Sequence, residues 1–193
     1  MLELNGTFPI RITVRFSFFA VLGLLVCMDK DGTALMCAAS CMLHELGHIA
    51  VMLIEHRPPD SVTLYGGGIH ISGGSTSFPA AAAGVTVNIM LFVVLGIIPW
   101  ENPQIRLWGT VNLLTALFNL LPIGELDGKL LVDKALIHIL SPVNAARLSD
   151  IIEKTVVIVI IPCVIMLVLA GYMNFSAVIF LIYVFAVEFL EKI

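Results

Sequence analysis

Six stretches of this chain are apolar for long enough to cross a lipid bilayer, and that property constrains its fold more than any other. A spanning helix needs about 20 predominantly apolar residues to traverse a hydrocarbon core of about 30 Å. Residues 12–28, 33–54, 79–99, 104–122, 154–173 and 175–190 each supply such a block within a chain of 193 residues. In lipid every backbone N–H and C=O must be satisfied inside the protein, so blocks of this kind are expected to be helices. The expected fold class is therefore an all-α polytopic membrane protein with about six transmembrane helices, forming a single domain over residues 1–193. Composition agrees: 59% of residues are hydrophobic and only 12% are charged, outside the usual balance of soluble domains.

Residues 1–9 lack a basic n-region and the first block has no small-residue cleavage site after it, so that block is expected to remain as a spanning helix. Cys27, Cys37, Cys41 and Cys163 all fall in or at apolar blocks and say little about redox compartment. The net charge is −4, but its distribution carries more information. With alternating blocks, one side of the membrane collects Arg11, Arg15, Arg57, Lys129, Lys134, Arg147, Lys154 and Lys192, and the other only Lys30 and Arg106. The positive-inside bias then places both termini in the cytoplasm. No nucleic-acid partner is expected.

Two segments differ from the helical blocks. Between the second and third, SVTLYGGGIHISGGS (residues 61–75, opening at Ser61 and closing at Ser75) alternates β-branched and aromatic residues around Gly66, Gly67 and Gly68, the pattern of a small β-hairpin. A hairpin at the membrane surface would close the loop or offer an edge to an extended peptide. After the fourth block, Pro122 cannot continue a helix interior, and IGELDGKLLVDKALIHIL (residues 123–140) suits a short amphipathic helix at the cytoplasmic surface.

The chemistry lies in the second block, where CMLHELGHIAVM carries His44, Glu45 and His48 inside an apolar run. H-E-x-x-H on a helix sets both imidazoles on one face, able to bind Zn²⁺ together, with the glutamate placed as general base. Ionisable groups within a spanning helix are costly, which makes them functional candidates. The same residues could instead satisfy one another as polar glue between helices. A catalytic zinc usually takes three protein ligands and a water, so a third ligand is needed. Of the six aspartates, only Asp127 follows a broken spanning helix within a Gly-flanked turn, and alternation brings it to the same side of the membrane as His44 and His48. Cys41, on the helical face of His44, is a competing ligand.

HELGH on one block joined with NLLPIGELDG (residues 119–128) at the end of a later one resembles the site-2 protease family of intramembrane zinc metalloproteases, whose pattern is H-E-x-x-H plus N-x-x-P-x-x-x-L-D-G. The resemblance implies one Zn²⁺ per chain held by His44, His48 and Asp127, with Glu45 as catalytic base. It implies regulated intramembrane proteolysis of a membrane or membrane-associated protein, added as a strand to the hairpin, in a bacterial cytoplasmic membrane. The short form looks like the sporulation pro-sigma-factor processing branch without its nucleotide-sensing CBS domain. The family's A-G-P-x-x-N signature corresponds to residues 83–88, with Val85 in place of proline. Asn88 is then expected near the site, polarising the scissile carbonyl or bonding between helices. Lys129 stands where many relatives carry a further glycine, and Glu125 is expected to be solvated. His56, His70 and His138 fall in surface segments. The rival readings are a catalytically silent adaptor on the same scaffold and a metal or ion transporter.

Overall fold

The computed structural model describes residues 10–29, 32–66, 68–73, 76–99 and 101–171. The sixth expected block, residues 175–190, lies outside them, as do Gly67, residues 74–75 of the glycine-rich segment and the end of the fifth block. The chain divides into two compact units, Met1–Leu120 and Leu121–Ile193.

The first unit begins with a strand, β1 (Arg11–Val14), followed by α1 (Phe16–Met28) and α2 (Thr33–Ile54). Next come β2 (Ser61–Tyr65), β3 (Gly68–Ser72), α3 (Phe78–Leu91) continued by a π-helical stretch (Phe92–Ile97), and α4 (Pro103–Asn119). The expected hairpin is present, with β2 antiparallel to β3 and Thr63 opposite His70. It is not a hairpin alone. β1 pairs parallel to β2, Arg11 opposite Ser61 through Val14 opposite Leu64, giving a three-stranded sheet in the order β1-β2-β3. The first apolar block therefore opens as a strand rather than a spanning helix. Ile12, Thr13 and Val14 are β-branched and stiff at χ1, which suits a pleated surface, whereas a hydropathy window registers only that they are apolar. What remains as α1 is 13 residues long.

Helices α2, α3 and α4 pack on one another. Small residues allow the close approach: a Cβ at Gly47 would lie 2.9 Å from Val87 Cγ2 and 3.0 Å from the Ala83 carbonyl, and one at Gly109 would lie 2.3 Å from the Gly96 nitrogen. Capping fixes where the helices start. Ser77 Oγ accepts from Ala80 N at 3.0 Å and donates to Glu55 Oε1 at 2.7 Å, tying the start of α3 to the end of α2. Asn102 Oδ1 accepts from Gln104 N at 2.9 Å, with Pro103 next in the chain.

In the second unit, α5 (Asp127–Ile139) packs against α6 (Pro142–Leu169). α5 is the expected short amphipathic helix. α6 starts twelve residues before the apolar block at Lys154. Hydropathy reports the solvent a helix meets, not where its backbone hydrogen bonds end, and Arg147, Asp150 and Glu153 lengthen the helix beyond its apolar part.

Three of the described helical stretches are long and apolar enough to cross a membrane: Thr33–Ile54, Phe78–Ile97 and Pro142–Leu169. α4, at 17 residues, carries Gln104, Arg106 and Asn112. The expectation of six spanning helices is thus met by three clear spans among the described residues. Large apolar side chains face outward along them, including Ile54, Met90, Ile158 and Leu169, as lipid contact requires and water would not favour. The chain is a membrane protein, mostly helical, with one small sheet.

Candidate metal centre

Helix α2 buries Ser40, His44, Gly47, His48 and Met52, one stripe at intervals of three and four residues. Opposite it, α3 buries Ala80, Ala81, Ala83, Gly84, Val85 and Asn88. The H-E-x-x-H spacing sets the two imidazoles on one buried face, and four of the six residues that α3 buries opposite it are alanine or glycine.

Each imidazole is anchored through Nδ1. His44 Nδ1 lies 2.6 Å from Asn88 Oδ1, and His48 Nδ1 lies 2.7 Å from the Ala80 carbonyl oxygen. A carbonyl can only accept, so both Nδ1 atoms carry the proton and donate. The lone pair of each neutral ring then sits on Nε2, and the two Nε2 atoms are 3.1 Å apart. Converging lone pairs at that distance repel unless a cation or a proton stands between them. Two nitrogens on a tetrahedral zinc at about 2.0–2.1 Å would be separated by about 3.3 Å, close to this spacing. The rings meet edge to face, with centroids 4.8 Å apart and planes at 77°.

Gly84 clears the space in front of both rings. A Cβ there would lie 2.3 Å from His48 Nε2 and 2.6 Å from His44 Nε2. No side chain larger than glycine fits without moving the ligating atoms. The tautomers, the nitrogen spacing and the cleared space fit a divalent metal.

Glu45 is half-buried on the flank of the histidine stripe. Asn88 is fully buried, and its amide is engaged three times: Oδ1 on His44, and Nδ2 on the Ser40 carbonyl at 3.2 Å and on Asn112 Oδ1 at 2.8 Å. These bonds join Asn88 to α2 and α4 beside His44. Cys41 is exposed where His44 and His48 are buried, so the competing thiolate does not share their environment. His56, His70, His138 and Glu125 are exposed as expected.

In the second unit, Asp127 is the first residue of α5, where a helix N-terminus favours negative charge. The turn before it depends on Gly124, whose φ of 56° is in the left-handed region. Glu153 on α6 is buried and grips this turn from both flanks. Its Oε1 accepts from Gly124 N at 3.1 Å and its Oε2 lies 3.0 Å from Lys129 Nζ. Lys129 also donates to Ser149 Oγ at 2.7 Å, and Ser149 bonds Asp133. Sequence reasoning passed over Ser40, Asn112, Trp108, Ser149 and Glu153. Paired buried amides leave no local motif; the one available signal was Lys129 at a position where glycine was expected.

No family model matches the chain. It is similar to a "Putative zinc metalloprotease sll0528" of Synechocystis, 38% identical over 109 residues that cover 50% of this chain and 29% of that protein. It is also similar to a "Putative zinc metalloprotease Rip3" of Mycobacterium tuberculosis, 37% identical over 117 residues, 52% of this chain and 30% of that protein. The matched stretch thus spans less than a third of these curated relatives' own length. Among solved structures, the Site-2 Protease from Methanocaldococcus jannaschii matches with a TM-score of 0.60 at 18% identity, covering 92% of this chain and 88% of that one. The chain shares the site-2 protease fold, and the curated relatives it matches are named as zinc metalloproteases.

Proposed function

We propose that this chain is a zinc-dependent intramembrane endopeptidase of the site-2 protease type, with His44, His48 and Asp127 as ligands of one zinc ion and Glu45 as general base. The observation that carries it is the pair of Nε2 lone pairs converging at 3.1 Å before a glycine. The two histidines supply two of the three protein ligands that a catalytic zinc usually takes, and the pairing of HELGH with LDG, which resembles the site-2 protease pattern, supports Asp127 as the third.

Zinc so held supplies Lewis acidity toward a scissile carbonyl and toward a water. The chain's own groups do the rest. His44 and His48 present neutral imidazoles, their orientation held by Asn88 and the Ala80 carbonyl. Glu45 takes the proton of the attacking water and delivers it to the leaving amine. The substrate is a membrane or membrane-associated protein segment that must leave the helical state, since a helical peptide bond is closed to attack. β3 ends the sheet on the side away from β1, and an extended segment adding there would be held open for cleavage. The resemblance supports a bacterial cytoplasmic membrane, and the charge bias of the loops supports chemistry near the cytoplasmic face with both termini cytoplasmic.

The test is cleavage of a single-span substrate by purified protein in lipid. The intact enzyme should cleave, a zinc chelator should stop it, and Glu45→Gln should lose cleavage while keeping its zinc. Turnover retained by Glu45→Gln would remove Glu45 from the base role, and turnover indifferent to chelation would overturn the zinc reading.

A further inference from the structure

The two largest fully buried side chains among the described residues are the amides of Asn88 and Asn112, both 0% exposed. They stand where α2, α3 and α4 pack together, and a polar group without a partner is costly there, so their hydrogen bonds should be fully specified. They are. Asn112 Nδ2 donates to the Trp108 carbonyl at 2.9 Å, and its Oδ1 accepts from Asn88 Nδ2 at 2.8 Å. Asn88 Nδ2 also donates to the Ser40 carbonyl at 3.2 Å, and Asn88 Oδ1 accepts from His44 Nδ1 at 2.6 Å.

The direction of every bond in this chain follows from its ends. The Trp108 and Ser40 carbonyls are backbone oxygens that only accept, so a nitrogen of each amide must face them. That turns the Asn112 oxygen toward Asn88 and the Asn88 oxygen toward His44. His44 must then carry its proton on Nδ1 and its lone pair on Nε2. A flip of Asn88 would set its oxygen against two acceptors, Asn112 Oδ1 and the Ser40 carbonyl. It would also face an NH₂ to His44 Nδ1, forcing the ring proton onto Nε2, the atom that lies 3.1 Å from His48 Nε2.

We propose that Asn112, acting through Asn88 together with the Ser40 and Trp108 carbonyls, is a positioning residue that fixes the tautomer of His44 and so aims its ligating lone pair. This rests on the zinc reading above for the use made of that lone pair, but not for the tautomer itself. Asn112 lies on α4, outside both motifs, and its side-chain hydrogen bonds go to Asn88 and the Trp108 carbonyl.

The experiment reads the ring nitrogens of ¹⁵N-histidine-labelled, metal-free protein by NMR, and zinc affinity by competition with a chromophoric chelator. The intact protein should show His44 as a single Nδ1–H tautomer. Asn112→Leu should give a mixture of tautomers and about a 10-fold loss of zinc affinity, the lower end for groups that orient a ligand. Trp108→Phe removes only the indole bond to Ser40 Oγ at 3.1 Å and leaves the amide chain in place, so it should match the intact protein in both readouts. If Asn112→Leu does not fold, Asn112→Asp is read instead; its neutral carboxyl can repeat the accept-and-donate pattern and should keep the single tautomer. A single Nδ1–H tautomer in Asn112→Leu, a mixture in Asn112→Asp, or equal disturbance by Trp108→Phe would overturn the proposal. A tautomer shift without zinc binding in any form would support it and overturn the zinc reading alone.

Discussion

At the scale of single residues, the centre depends on what is small as much as on what ligates. Gly84 leaves room for the two Nε2 atoms because it has no Cβ, and any substitution there must push the rings or part the helices. Gly84→Ala is therefore expected to lower zinc affinity at least ~10-fold and to destabilise the fold by about 1–3 kcal/mol, as overpacking does. A chelator titration and a thermal melt in detergent check this; unchanged affinity would mean that the space before Gly84 is not the metal's. The proposed ligands His44, His48 and Asp127 and the proposed base Glu45 stand out in the sequence because H-E-x-x-H and L-D-G are local patterns. The hydrogen bonds that fix the imidazoles do not, since Ala80 and Asn88 meet them across a helix interface that no spacing rule reports.

At the scale of elements, two features answer questions the sequence raised. Lys129, out of place against the family pattern, has its partner in Glu153 on α6 at 3.0 Å, and the same carboxylate holds the Gly124 N–H. Lys129 also lies 3.8 Å from Asp133 and 3.7 Å from Asp150, so removing the buried Glu153 leaves its charge partly compensated but takes the acceptor from the Gly124 N–H. Glu153→Leu is expected to cost about 1–3 kcal/mol in a detergent unfolding titration, the range for leaving a hydrogen-bonded group without its charged partner. Glu153→Gln, which keeps the acceptor for Gly124, should cost less. Equal losses would show that the ion pair, not the turn contact, dominates. β1 in turn covers the β2 side of the hairpin, so β3 is the hairpin strand left at an edge of the sheet among the described residues. If a substrate segment adds to it, cysteines scanned along a single-span substrate should cross-link to a cysteine replacing His70 at every second position. Cross-links spaced by three and four would mean that the substrate binds as a helix.

For the whole molecule, the order of residues alone is enough to place this chain in a membrane, to make it mostly helical and to show motifs that resemble those of metalloproteases. Those properties are local or additive: block length against bilayer thickness, and ligand types at fixed spacing along a helix. Tertiary structure decided the rest. Pairing with β2 turned the head of the first apolar block into a strand, because backbone partners, not hydropathy, select between strand and helix for β-branched residues. Continuous backbone hydrogen bonding carried α6 past its apolar stretch into charged residues. Packing of α2, α3 and α4 enclosed Ser40, Asn88 and Asn112 together, and only enclosure makes the direction of their hydrogen bonds matter. A motif can state which atoms ligate; which ring nitrogen holds the lone pair is set by carbonyl oxygens that only the fold brings to it.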